Sequence, residues 1–343
     1  MKIVFDPIES ESNQYPQMLV SGFQKQGLEV YSLNEMLSDL NKFKSVSVVH
    51  LNWFESVKSS FAFLKKFVKL ICLILGGKKI VWTMHNKTPH IKKVFLLQKI
   101  LLRILKEKAD VIIIHSTATK ELLYKESPRF AEKTVYIPHP NYIGVYGSAT
   151  QQKDFSNEPL QLLFLGAVKP YKNIELLIEA VQTFSKEEVE LTIAGKCYTM
   201  EYEEFLNQKI SKNNIRTNFQ FLEDGALKEA LEDHELVILP YDLRSSLNSG
   251  TVILAFSYAR SVICPEIGTV RDVKNKKQIL GYSYGDEHEH KEQLILAIKR
   301  AINLKQKSPQ VFEEWGVAMQ QEMKDFNDPK LISEAFLDLY ANL

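Results

Sequence analysis

Leu160-Gln161-Leu162-Leu163-Phe164-Leu165-Gly166 runs through Ala167 into Val168-Lys169-Pro170-Tyr171-Lys172-Asn173, and a helical pattern follows from Ile174 to Phe184. A short apolar run that ends in glycine and feeds a helix reads as a buried parallel strand with its crossover. The move recurs at Leu236-Val237-Ile238-Leu239-Pro240-Tyr241, which leads through Ser245-Ser246-Leu247-Asn248-Ser249-Gly250-Thr251 into another helix. Each segment sets anion-binding groups at the carboxyl end of a strand, two lysines in one case and a small-residue helix start in the other. Together they read as a clamp for a diphosphate.

Apolar β-rich runs and helical patterns alternate along most of the chain. In the first half the pattern predicts strands at Lys2–Phe5, Leu28–Ser32, Val46–His50, Lys79–Thr83, Val111–His115 and Thr134–Ile137. Helices are expected between them near Pro16–Gln26, Val57–Leu75, Ile91–Lys108 and Ala118–Glu126. The second half predicts strands at Leu160–Leu165, Val189–Ala194, Phe219–Leu222, Leu236–Leu239 and Ser261–Cys264. Its helices fall near Ile174–Phe184, Tyr202–Ser211, Leu227–Asp233 and Thr251–Ala259. Such alternation implies an α/β chain of two Rossmann-like, doubly wound parallel-sheet domains. The polar stretch 147–159 is the expected junction, giving domains over 1–150 and 157–320. The segment 321–343 is expected to be helical and to pack back toward the first domain. Two facing sheets of this kind would enclose a cleft beyond the carboxyl ends of their strands.

At 343 residues, 45% hydrophobic and 25% charged, both domains can bury full cores. The start, Met1-Lys2-Ile3-Val4-Phe5-Asp6, reads as a first strand and not as a signal peptide. Cys72, Cys197 and Cys264 stand apart in apolar runs, as expected of reduced core thiols, so a cytoplasmic location is expected. No G-x-x-x-x-G-K-[ST] occurs, and no G-x-G-x-x-G follows the first strand, which weighs against a P-loop NTPase and an ordinary dinucleotide enzyme. There is no H-E-x-x-H or paired C-x-x-C. Asp286-Glu287-His288-Glu289-His290 reads as solvated residues capping a following helix rather than as a metal site.

Charge is unevenly spread. Residues 1–150 hold 21 Lys and Arg against 12 Asp and Glu, a balance of +9, and the remainder carries −8. Residues 58–108 alone carry 13 basic side chains and one acid, Glu107. Lys58, Lys65, Lys66 and Lys69 share one helical face, as do Lys92, Lys99, Arg103 and Lys106 on the next helix, with phenylalanine and leucine on the other sides. Two readings stand level: helices resting on anionic lipid, at the inner face of the cell membrane, or packed helices with solvated lysines.

The ordered series Gly166…Lys169-Pro170-Tyr171-Lys172, Leu176-Leu177-Ile178-Glu179-Ala180, Thr192-Ile193-Ala194-Gly195 and Leu239-Pro240-Tyr241…Ser249-Gly250 resembles the donor-binding domain of GT-B glycosyltransferases in the glycosyl transferases group 1 family. The first half resembles the family more loosely, through Asn13-Gln14-Tyr15, Val81-Trp82-Thr83-Met84-His85-Asn86 and Ile114-His115-Ser116. The resemblance implies transfer of a sugar from a nucleoside diphosphate sugar, as co-substrate, to a glycan or lipid-linked acceptor in cell-surface polysaccharide synthesis, with no metal, cofactor or nucleic acid. A nucleotide-sugar epimerase on the same frame and a silent nucleotide-sugar-binding subunit are the alternatives.

On that reading Lys169 and Lys172 supply cations for the departing diphosphate. Ser249, Gly250 and Thr251 open a helix whose free N–H groups face it. Gly166 and Gly195 line the cleft or simply make tight turns, and Tyr241 and the backbone at Gly195-Lys196 are candidates for base and ribose. Two departures from the family pattern stand out: Thr251–Phe256 lacks the glutamate expected near the ribose, and Ala167 replaces an arginine. On the acceptor side Asn13, Tyr15, Asn86 and His115 are candidates, with His85 as the catalytic one. For both histidines a hydrogen-bonded structural role competes, and His139, between two prolines, reads as shaping the linker. Asp6, Glu9, Glu11 and Glu55 are the candidate general bases.

Overall fold

Every strand pairing in the computed structural model is parallel, over the residues it describes: 1–11, 13–85, 87, 95–148 and 153–343. The chain divides into two compact units, Met1–Pro140 with Asn327–Leu343, and Asn141–Phe326. The division therefore falls upstream of the polar stretch 147–159.

The first unit holds β1 (Lys2–Asp6), β2 (Glu29–Tyr31), β3 (Val48–Asn52), β4 (Lys79–Thr83), β5 (Val111–Ile114) and β6 (Thr134–Tyr136), in the order β2-β1-β3-β4-β5-β6. All five β3 residues are buried, as expected of a strand covered on both faces. Strand order reverses between β1 and β3, which is where open α/β sheets hold their ligands. The closing helix Pro329–Ala341 belongs to this unit, and its Ile332, Phe336 and Tyr340 pack with Phe5, Tyr15, Leu19 and Phe23 in the core. Burying three such side chains contributes about 1.5–3 kcal/mol each, enough to fix the helix.

The second unit holds β7 (Leu160–Leu165), β8 (Val189–Ala194), β9 (Ile215–Asn218), β10 (Leu236–Ile238), β11 (Ser261–Pro265) and β12 (Leu280–Tyr282), in the order β12-β11-β10-β7-β8-β9. Here the order reverses between β7 and β10, the two strands that carry the candidate clamp.

Several expectations need correction. The edge strand is Ile215–Asn218, not Phe219–Leu222: an edge strand pairs on one side only, and Arg216, Thr217 and Asn218 are exposed, so no apolar run marks it. Strand β3 runs two residues beyond His50, and β12 and the short helices Leu33–Ser38, Leu40–Ser45 and Pro128–Glu132 were not foreseen, being too brief to show a period. Of the cysteines only Cys264 is a core thiol; Cys72 is exposed and Cys197 half-buried. Asp286 caps the helix Glu287–Lys307, so 287–290 form its first turn, and His290 is buried there and not solvated.

Candidate functional site

In the second unit, β7 ends at Gly166, whose φ of +125° turns the chain sharply outward. Beside it Gly195, φ +135°, ends β8 so close that a Cβ would lie 2.2 Å from the Gly166 carbonyl oxygen. Only glycine fits there. The Gly166 loop continues to pair after the strands stop, with Val168 N donating to Lys196 O at 3.0 Å and Tyr198 N to Val168 O at 2.9 Å. Lys169 is extended and starts the 3-10 turn Pro170–Lys172. Asn173 follows in the left-handed region and caps nothing; its Nδ2 donates to Pro240 O at 2.9 Å, tying this loop to the one after β10.

That tie brings the two halves of the candidate clamp together. Lys172 Nζ donates to Tyr241 Oη at 3.3 Å and sits 4.3 Å from the centre of the Tyr241 ring, and Tyr241 Oη lies 3.0 Å from Ser249 Oγ. Ser249 caps the helix Gly250–Ser257 by accepting from Val252 N at 3.2 Å, and Thr269 Oγ1 takes Ser249 N at 2.9 Å. Thr251 Oγ1 is 3.7 Å from where a Gly166 Cβ would be. Lys172, Tyr241, Ser249, Thr251 and Gly166 thus gather at one point of the sheet, at a helix N-terminus whose N–H dipoles favour an anion. Burial opposes the charge on Lys172, but the phenols of Tyr241 and Tyr171 offset it and hold its pKa above the ordinary value. Tyr284, unanticipated from sequence, straps the second loop by donating to Tyr241 O at 3.0 Å and accepting from Leu243 N at 2.9 Å. His290 stacks on it at 3.8 Å.

In the first unit, His85 and His115 follow β4 and β5, and Tyr15 opens the helix Tyr15–Lys25 after β1. They are one aromatic cluster. Tyr15 Oη lies 3.1 Å from His115 Nε2, while His115 Nδ1 donates to Ile137 O at 2.7 Å, so Tyr15 is the donor. His85 meets the edge of Tyr15 at 5.3 Å, stacks on Trp53 at 4.1 Å, and bonds through Nε2 to Asn52 Oδ1 at 3.1 Å. His139 lies 4.9 Å from the Tyr15 ring and joins this cluster instead of only shaping the linker. Burial holds these imidazoles neutral: His115 falls to about 4, His139 to about 3, and His85 well below its usual range. Asn52 and Trp53 were missed because β3 was expected to stop at His50.

Asn13 turns the chain into the helix by accepting from Tyr15 N at 3.0 Å, and Asn86 lies outside the described residues. Among the carboxylates, Asp6 accepts from Leu33 N at 3.3 Å and Glu55 from Trp82 Nε1 at 3.2 Å, both with pKa values raised by burial. Glu9 and Glu11 are exposed. No group of three metal-ligating side chains occurs among the described residues.

Residues 159–303 match the family of glycosyl transferases group 1. A GDP-mannose:glycolipid 4-beta-D-mannosyltransferase of Xanthomonas campestris pv. campestris is 26% identical over 226 residues, 64% of this chain. Over residues 159–303 the chain is thus similar to the glycosyl transferases group 1. The alignment spans 61% of that relative's own length. Among solved structures, the chain resembles Anabaena Alr3699/HepE in complex with UDP-glucose, with a TM-score of 0.73 at 15% identity over the whole of both chains. It also resembles the sucrose-phosphate synthase of Thermosynechococcus elongatus, with a TM-score of 0.73 at 14% identity over 99% of this chain and 98% of the other. The two six-stranded parallel sheets are those of the GT-B fold.

Proposed function

We propose that the chain transfers a sugar from a nucleoside diphosphate sugar to a lipid-linked or glycan acceptor in cell-surface polysaccharide synthesis. The observation that carries this reading is the convergence of Lys172, Tyr241 and Ser249 on the N-terminus of Gly250–Ser257. As the bond between sugar and diphosphate breaks, negative charge grows on the leaving oxygens. Lys172 and Lys169 meet it with positive charge, and the amides of Gly250 and Thr251 with N–H dipoles. In this reading no divalent metal takes part, so turnover persists in excess EDTA. The relative named above makes GDP-mannose the donor to test first, and the UDP-glucose complex of the structural neighbour makes UDP-glucose the second.

In the first unit, His85, His115 and Tyr15 face the transferred sugar or the acceptor hydroxyl. No helix among the described residues is long and apolar enough to cross a membrane. The basic segment 58–108 instead rests against anionic lipid at the inner face of the cell membrane, where a lipid-linked acceptor would be met. Labelled GDP-mannose and UDP-glucose incubated with the chain and a membrane extract test the reading. Label passing to a lipid fraction supports it. Conversion of the sugar without acceptor would make the chain an epimerase, and binding without turnover a silent subunit.

A further inference from the structure

Asn52 closes a wholly buried strand, is itself 3% exposed, and offers its Oδ1 to His85 Nε2 at 3.1 Å. The next residue, Trp53, has φ +48°, a left-handed conformation that costs a non-glycine residue roughly 1–2 kcal/mol. That conformation lays the indole flat on the His85 ring, 15° from parallel at 4.1 Å. Two consecutive side chains at the end of β3 therefore fix the same imidazole, one by its plane and the other by its rotation within that plane.

We propose that Asn52 is a positioning residue that keeps His85 protonated at Nε2, leaving the Nδ1 lone pair as the acceptor His85 presents. A neutral imidazole has one donor and one acceptor nitrogen, and an amide oxygen only accepts, so the nitrogen facing Asn52 Oδ1 carries the proton. His85 is neutral because burial, and the neighbouring His115, His139 and His50, hold its pKa far down. The same logic assigns the opposite form to His115, 5.4 Å away, whose Nδ1 donates to the carbonyl of Ile137. Two adjacent imidazoles thus hold opposite tautomers. The reversed amide would place Nδ2 against His85 and demand the other tautomer, so the tautomer reports the amide directly. This inference rests on the reading in which His85 faces the sugar or acceptor: a bare Nδ1 there accepts a hydrogen bond from a hydroxyl and cannot donate one.

The test is the nitrogen NMR spectrum of the full chain labelled at histidine, with His85 assigned by its absence in His85→Gln. In the wild type we expect a protonated Nε2 and a bare Nδ1. Asn52→Asp keeps that tautomer and raises the pH at which His85 ionises by about 1–3 units, because a carboxylate now faces the ring. Asn52→Leu gives a mixture of tautomers. A proton on Nδ1 in the wild type, an unchanged tautomer in Asn52→Leu, or an unshifted titration in Asn52→Asp overturns the proposal. Should Asn52→Leu not fold, the wild-type and Asn52→Asp spectra decide. The spectra need no donor, so a chain that moves no sugar overturns the functional reading alone.

Discussion

Lys172 Nζ lies 3.3 Å from Tyr241 Oη, across 69 residues of sequence, and this contact joins the loop after β7 to the loop after β10. The ammonium rests partly on the Tyr241 ring, so it is held in place before any ligand arrives. Preorganised charge is what a leaving diphosphate needs. Lys172→Ala is expected to weaken binding of GDP or UDP by calorimetry by about 1.5–3 kcal/mol, the worth of a charged hydrogen bond. Unchanged affinity would remove Lys172 from the clamp. Tyr241→Phe keeps the ring but loses the Ser249 contact, and should show a smaller loss.

Gly195 is held by geometry that no side chain tolerates. A Cβ there meets the Gly166 carbonyl oxygen at 2.2 Å, and the backbone φ is +135°. Gly195→Ala must push β7 and β8 apart and is expected to cost at least ~2 kcal/mol in chemical denaturation. Gly166→Ala has room, with Thr251 Oγ1 at 3.7 Å, and should cost only its backbone strain of about 1–2 kcal/mol. Equal stabilities for the two variants would contradict this account.

What sequence made legible follows from burial. Lys79–Thr83, Leu160–Leu165 and Val189–Ala194 match the observed strands end to end, because short runs rich in apolar and β-branched residues, bounded by turns, favour a buried strand. The edge strand Ile215–Asn218 carries no such run, and its polar residues looked like loop. At β3 the expected end fell two residues early, which hid Asn52 and Trp53 behind His50. The two loops of the clamp could be located separately by their lysines, glycines and serines. That Asn173 ties to Pro240, or that Tyr284 straps Tyr241, depends on the strand order, and no local pattern encodes it.

Two buried histidines, His50 and His115, and two half-buried ones, His85 and His139, make the first unit acid-sensitive. Burial lowers His50 and His139 to about 3 and His115 to about 4, and drives His85 well below its usual range. An unfolded chain takes up a proton on each near pH 6.5, whereas the folded chain does not until the pH is far lower. Their contribution to stability is therefore complete above about pH 6.5 and is lost as the pH falls toward 4. Well inside that window the slope is about 1.4 kcal/mol per pH unit for each histidine. Melts at pH 7 and pH 5 should show a marked fall at the lower value. A stability flat across that range would mean the imidazoles are charged or hydrated.

Lys305 and Glu235 form a buried pair in the second unit, 2.5 Å apart with side-chain exposures of 8% and 4%. Glu235 Oε2 also accepts from Gln161 N at 3.0 Å, and Lys305 donates to Pro159 O at 3.2 Å, so the pair anchors the start of β7. Lys305→Met strands a buried carboxylate and is expected to cost about 3–5 kcal/mol. Adding Glu235→Leu should recover part of that loss, since the orphaned charge goes with it. A double variant no more stable than Lys305→Met would show that the hydrogen bonds to Gln161 and Pro159 dominate.

The helix Ser60–Leu75 turns an apolar stripe outward, a departure from lysines outside and apolar residues within. Phe61, Leu64, Val68, Ile71 and Leu75 are 65%, 55%, 50%, 38% and 82% exposed and follow one another at steps of three and four. Lys66 meanwhile turns inward to the carbonyls of Trp53, Phe54 and Ser56, and Lys106 of the helix Phe95–Lys108 is buried against Glu126. Lys65 lies over the Phe61 ring at the rim of the stripe and Lys58 is exposed just before the helix, within a segment that holds one acid. An apolar stripe with basic flanks suits the interface of an anionic bilayer, where each lysine near the surface adds about 1 kcal/mol. The full chain should therefore sediment with vesicles containing phosphatidylglycerol and much less with phosphatidylcholine alone, with binding weakened by salt. Leu64→Glu with Val68→Glu removes apolar contact and adds repulsion, and should lower binding at least ~10-fold while leaving nucleotide affinity intact. Equal binding to both vesicle types, or no loss in the double variant, would leave the stripe without a lipid role.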